Sequence, residues 1–162
     1  MVKKISLVLA LIFSLAGGLT PAHAGMSAYT ATKIMGLYFN GTAYTIPTTI
    51  YIGLMSTCPT AGSGTGGTEA AYTGYARQAM AQGTTNWTTV TTVGLIENAT
   101  VITFPNNTGT TSETENCYGA WDAATGGDLL DVETLKNAQT INVGAGATFA
   151  VDALKFSPVL GP

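Results

Sequence analysis

The sequence predicts a mainly β protein, an antiparallel, jelly-roll-like β-sandwich with one short N-terminal helix. Three observations carry this expectation. From Pro47 onward β-branched and aromatic residues dominate, in runs broken about every 8–15 residues by Gly, Asn, Pro or Thr clusters, the spacing of short strands joined by turns. Helical spacing of apolar residues occurs once, over residues 27–39, and does not recur. The stretch 117–135 reads as a hairpin: Tyr118 and Trp121 precede a turn at 122–128, and Leu129, Leu130 and Leu135 follow it. Asp122, Thr125 and Asp128 bond readily to nearby backbone, and Gly126 and Gly127 accept φ > 0 without steric cost.

Ahead of these elements, residues 1–24 carry Lys3 and Lys4, an apolar run over 5–16 and a small-x-small end at Ala22-His23-Ala24. That order is the pattern of a secretory signal peptide, and the run is shorter than the roughly 20 residues that span a bilayer. The alternative is a retained N-terminal anchor. Cleavage leaves residues 25–162, which is 138 residues, the size of one domain with a modest core. No later apolar run reaches spanning length, so the mature form is expected not to cross a membrane.

The mature chain keeps Lys33, Arg77, Lys136 and Lys155 against nine acidic residues, a net charge of −5. That balance argues against a nucleic-acid partner, which a basic surface would have to attract. The one histidine is His23, inside the leader. Histidine-dependent nucleophilic sites and histidine-ligated metals are therefore excluded from the mature domain.

Within the domain, Tyr29, Ile34, Leu37 and Tyr38 fall near helical spacing over 27–39, with Ser27 as N-cap and Asn40-Gly41 as stop. Gly36 interrupts that helix at a propensity cost of about 1 kcal/mol. Residues 48–56 alternate Ile50, Ile52 and Leu54 toward one face of a strand. Residues 60–68 form a Gly/Ser/Thr loop without the Gly-Lys-Ser/Thr ending of a phosphate loop. A strand is expected over 74–81 and another over 100–104, with a polar loop over 111–116. After the hairpin, strands at 138–143 and 147–156 are joined by a turn at 144–146, and Phe149, Val151, Ala153 and Leu154 are candidates for the inward side.

Few residues invite chemistry. Cys58 and Cys117, in a chain bound for an oxidising compartment, suit a disulfide; the alternative is two buried free thiols. Arg77, the only arginine, reads as a structural stacking or carboxylate-pairing residue, with ligand binding as the sharper alternative. Trp87, set among threonines, is the best candidate for stacking on a sugar ring, against packing into the core. Asp122, Asp128, Asp131 and Glu133 raise a glycosidase or calcium reading, but nothing in their spacing sets two carboxylates facing across a cleft or supplies alternating calcium ligands. No cofactor and no metal are expected.

The order of landmarks carries a resemblance. A short helix precedes Gly41-Thr-Ala-Tyr-Thr-Ile-Pro-Thr-Thr-Ile-Tyr-Ile-Gly-Leu-Met-Ser-Thr-Cys-Pro-Thr60; then come Gly74-Tyr-Ala-Arg-Gln78, Ile102-Thr-Phe-Pro105, Ala120-Trp-Asp-Ala-Ala-Thr-Gly-Gly-Asp-Leu-Leu130 and Ile141-Asn-Val-Gly-Ala-Gly-Ala-Thr-Phe149. In this order the chain resembles a family of small bacteriophage tail fibre proteins. The resemblance implies a β-sandwich module acting as a structural or attachment piece of the virion, with no catalytic residues; the low charge and the edge strands that a symmetric assembly would cover add copies of itself as the expected partner. The leader and the two cysteines depart from that pattern and keep a second expectation open. In it the chain is an exported cell-surface protein, either a filament subunit assembled by strand addition or an adhesin that binds surface glycan.

Overall fold

A computed structural model of the chain describes residues 25–60, 63–90 and 94–157. The leader expected at 1–24 lies outside them. In chain order the elements are β1 (Gly25–Met26), α1 (Ala28–Asn40), β2 (Thr49–Thr57), β3 (Thr68–Glu69), β4 (Gln78–Ala81), β5 (Trp87–Val90), β6 (Leu95–Asn98), β7 (Ile102–Thr103), β8 (Glu113–Trp121), β9 (Leu129–Ile141), β10 (Thr148–Phe149) and β11 (Lys155–Phe156).

The fold is mainly β, antiparallel and sandwich-like, as the strand pattern predicts. One layer is a six-stranded sheet in which β2 pairs with β8, β8 with β9, and β9 with β1, while β3 and β4 share the other side of β2. The opposing layer is made of two small sheets, β5–β6–β11 and β7–β10. Between the layers lie Ile52, Leu54, Tyr118 and Ala120 from the large sheet, with Ile102, Phe104, Leu154 and Phe156 from the other side. Ile52 and Leu54 owe their inward position to strand alternation, as the period-2 pattern requires. On the outer face of the large sheet, Met55, Cys117, Trp121 and Val132 form a second, smaller cluster.

Helix α1 begins and ends where the sequence says it should. The Ser27 hydroxyl accepts the Thr30 N–H at 3.2 Å, and Gly41 closes the helix at φ 63° with its N–H directed back along the last turn. Its expected buried face is absent: no α1 residue is buried.

The hairpin at 117–135 is present, with Trp121 opposite Leu129. Its strands run further than its apolar residues suggest. Residues 113–116, expected in a loop, belong to β8, and residues 138–141, expected in a separate strand, continue β9. The register passes from Cys117↔Thr134 to Glu115↔Gln139, so residues 135–138 bulge out of a single ladder. Acidic residues at the β8 end hid this extension, because Glu115 sits on the buried side of the strand.

The C-terminal expectation needs the larger correction. The turn near Gly144 does not join β9 to a hairpin partner; β10 pairs instead with β7. The single strand expected over 147–156 splits at a turn where Asp152 takes φ 60°. Leu154 is buried, while Val151 is 47% exposed and Ala153 is also exposed. The cause is Asn98. Its buried side chain accepts the Leu154 N–H at 2.8 Å and donates to the carbonyls of Ala150 at 2.7 Å and Thr100 at 2.8 Å. An amide with three such bonds fixes an irregular backbone that strand pairing cannot. The strands expected over 74–81 and 100–104 shorten to Gln78–Ala81 and Ile102–Thr103.

Candidate functional site

Four places bear on function: the Arg77 node, the disulfide, the groove beside Trp87 and the surface of α1. The last of these had no signal beyond a run of apolar residues that periodicity assigned to the core.

Arg77 lies just before β4, and its guanidinium stacks 4.1 Å over the Trp121 ring. It holds both Glu69 oxygens at 2.7 Å, and its remaining contacts are the carbonyls of Ala123 at 2.7 Å and Gly126 at 2.8 Å. Four of its five N–H donors thus point at protein acceptors. Glu69 also accepts the Tyr75 hydroxyl at 2.9 Å, and that hydroxyl accepts the Leu54 N–H at 3.0 Å. Burial first, and then the Glu69 charge, push the Tyr75 phenol far above its ordinary value. The chain of contacts ties β3, β4 and the β8–β9 turn to the middle of β2. Sequence reasoning placed Arg77 beside a carboxylate but did not find Glu69 or Tyr75; the spacing Glu69, Tyr75, Arg77 brackets a loop and has no period.

The turn holds itself together. Asp122 accepts the Asp128 N–H at 2.7 Å. Asp131 and Glu133 lie further along β9, where Glu133 accepts the Ser157 N–H and hydroxyl at 3.2 and 3.1 Å. Burial, reinforced by Glu133, raises the Asp131 carboxyl to about 7. Among the described residues no group of three or more His, Cys, Asp or Glu side chains is placed to hold a metal ion.

Cys58 and Cys117 are joined in a disulfide with Cα atoms 5.6 Å apart. It clamps the chain leaving β2 to the adjacent β8, and Cys117 is fully buried in the outer cluster.

Trp87 is half-buried. It packs against Phe156 with ring centroids 6.3 Å apart, and its buried indole N–H has no acceptor among the described residues. Its open side walls a groove of about 430 Å³ with Ile50, Ile96, Leu130, Phe156 and Asp131. The residue therefore serves the core and also fronts a concave, mostly apolar surface.

The surface of α1 is apolar. Met35, Leu37, Tyr38, Phe39 and the following Ile46 are all exposed. The fold and these surfaces define a small antiparallel β module, braced by an arginine node and a disulfide. Over residues 25–157 the chain matches the family model described as Podophage GP4 fiber I protein gp80. The chain belongs to this phage fibre family. Membership places it, at this coarse level, among structural components of the virion. No curated protein matches the chain.

Proposed function

We propose that the protein is a non-enzymatic fibre component of a phage particle that works through self-assembly and surface contact, with copies of itself as its partner. The observation that carries this is the family match across residues 25–157, which spans all the described residues. The low charge of the domain and its short outer strands agree with a part whose edges are covered by neighbours. Mass spectrometry of purified particles tests the location: peptides from residues 25–157 in the particle fraction support a virion role. Their confinement to the culture fluid contradicts it.

A second reading is favoured by the leader pattern at 1–24 together with the Cys58–Cys117 bond. Here the domain is exported, cut after Ala24, and displayed on a cell surface. It acts either as a filament subunit joined by strand addition or as an adhesin that takes a glycan in the groove beside Trp87. N-terminal sequencing that begins at Gly25 supports export. A glycan screen with Trp87→Ala as control tests the adhesin form, and an unresponsive wild-type protein ends it.

A further inference from the structure

The bulge of β9 has a counterpart inside the molecule. Where residues 135–138 leave the β8–β9 ladder, a hollow of about 620 Å³ opens between β9 and the chain that runs from β10 to β11. Half-buried Leu135 and Phe149 wall it together with Tyr118, and the Tyr118 and Phe149 rings meet edge to face with centroids 5.2 Å apart. Glu115 lines it too. That side chain is fully buried, and among the described residues neither of its carboxyl oxygens meets a donor.

A buried carboxylate without donors is costly, because nothing offsets its lost hydration. The donors around it are engaged elsewhere. Tyr118 donates its hydroxyl to the Lys155 carbonyl at 2.8 Å, and Tyr72, whose phenol feels the Glu115 charge, donates to the Pro105 carbonyl at 3.1 Å. Lys155 pairs with Glu97. Lys136, the other cation lining the hollow, is exposed on the bulge, where water screens its charge. Glu113, two residues along β8, adds a second negative charge instead of relief.

These surroundings select a ligand. The hollow calls for a positively charged hydrogen-bond donor at the Glu115 end and an apolar body against Leu135 and Phe149. A bare metal ion fits poorly, since it takes several oxygen ligands and Glu115 is the only carboxylate among the described residues that line the hollow. A primary ammonium on a short apolar stem meets both demands, and aromatic rings within about 6 Å attract such a cation as well. The Glu115 oxygens lie closed from solvent beneath the wall. Contact therefore requires the side chain to turn toward the hollow, which its rotatable bonds allow.

We propose that this hollow is a binding site for a primary ammonium group on a short apolar stem, held by Glu115 and packed on Leu135 and Phe149. The ammonium belongs either to a free amine or to the lysine side chain of a partner, and the site is independent of which of the two readings above holds. Titration of the isotope-labelled protein with n-butylammonium, followed at the amide resonances of Leu135 and Phe149, tests it. Saturable shifts are expected near pH 8, with a Kd of about 1 mM, in keeping with so small a ligand. Binding near pH 6 is expected to be about tenfold weaker, because the Glu115 carboxyl titrates at about 7 and the cation binds its ionised form. Glu115→Gln should abolish binding at both pH values, with far-UV circular dichroism checking its fold. 1-Butanol, the same stem without charge, should bind at least tenfold more weakly than the ammonium. Equal binding of 1-butanol, binding unchanged by Glu115→Gln, or no saturation by about 20 mM overturns the site. Lysine capped at both ends separates the two sources: binding as tight as that of n-butylammonium supports a partner's lysine, and at least tenfold weaker binding supports a free amine.

Discussion

At Arg77 one side chain joins three strands and a turn, and its side chain is 6% exposed while that of Glu69 is 30% exposed. Removing one partner of a mostly buried ion pair strands the other and leaves carbonyls without donors. Arg77→Met is therefore expected to lower unfolding free energy by about 3 kcal/mol in chemical denaturation. Arg77→Lys should recover little of it, since an ammonium cannot make the bidentate and stacked contacts together. Glu115 presents the opposite case: it is fully buried, and among the described residues neither carboxyl oxygen meets a donor. Burial first, and then the nearby Glu113 charge, raise its carboxyl from 4.5 to about 7. The folded state thus holds a proton that the unfolded chain releases at lower pH. Stability is fully retained below about 4.5 and falls as pH rises through 7, and Asp131 acts in the same direction. Melting temperature is expected to be higher at pH 5 than at pH 8. Glu115→Gln should flatten that slope and stabilise the protein at pH 8 by about 2–3 kcal/mol; an unchanged slope would contradict the assignment. Gly53 adds a steric test. A Cβ there would lie 2.6 Å from the Tyr75 hydroxyl and 2.7 Å from Trp121, so Gly53→Ala should displace the Tyr75 bond to Leu54 and destabilise the central strand.

At the scale of elements, local chemistry was legible where one residue type does one job. Ser27 and Gly41 bounded α1 correctly because caps act through their own backbone. The alternation of Ile50, Ile52 and Leu54 gave β2 for the same reason. The extension of β8 through 113–116 was not legible, because Glu115 occupies an inward position that polarity assigns to solvent. The break in the C-terminal strand leaves no local signal, because Asn98, more than 50 residues away from Leu154, dictates it. A lone arginine amid Tyr and Gln signals stacking or a carboxylate partner, but which ring and which carboxylate, Trp121 and Glu69, is set by tertiary packing. The disulfide belongs to this scale as well. It closes a separation of 59 residues, and on the loop-entropy model its reduction is expected to cost about 4 kcal/mol. Denaturation with and without reductant measures this, and a midpoint insensitive to reductant would contradict it.

Across the whole molecule, the two-layer arrangement follows from short β-rich runs that each bury one face, and the fibre family follows from landmarks spread over residues 25–157. Which strands form the second layer did not follow, since β7 and β10 pair across 45 residues with only two residues each. The helix meets its expectation only in part: of its apolar stripe Tyr29 and Ile34 are half-buried, while Leu37 and Tyr38 stay exposed. On the proposed reading the domain meets copies of itself, and Met35, Tyr38 and Phe39 leave exposed apolar surface for such contact. Native mass spectrometry of the protein cleaved before Gly25 tests this most directly. The expected spectrum is dominated by one whole-number multiple of the chain mass. A spectrum of single chains at every accessible concentration would contradict it.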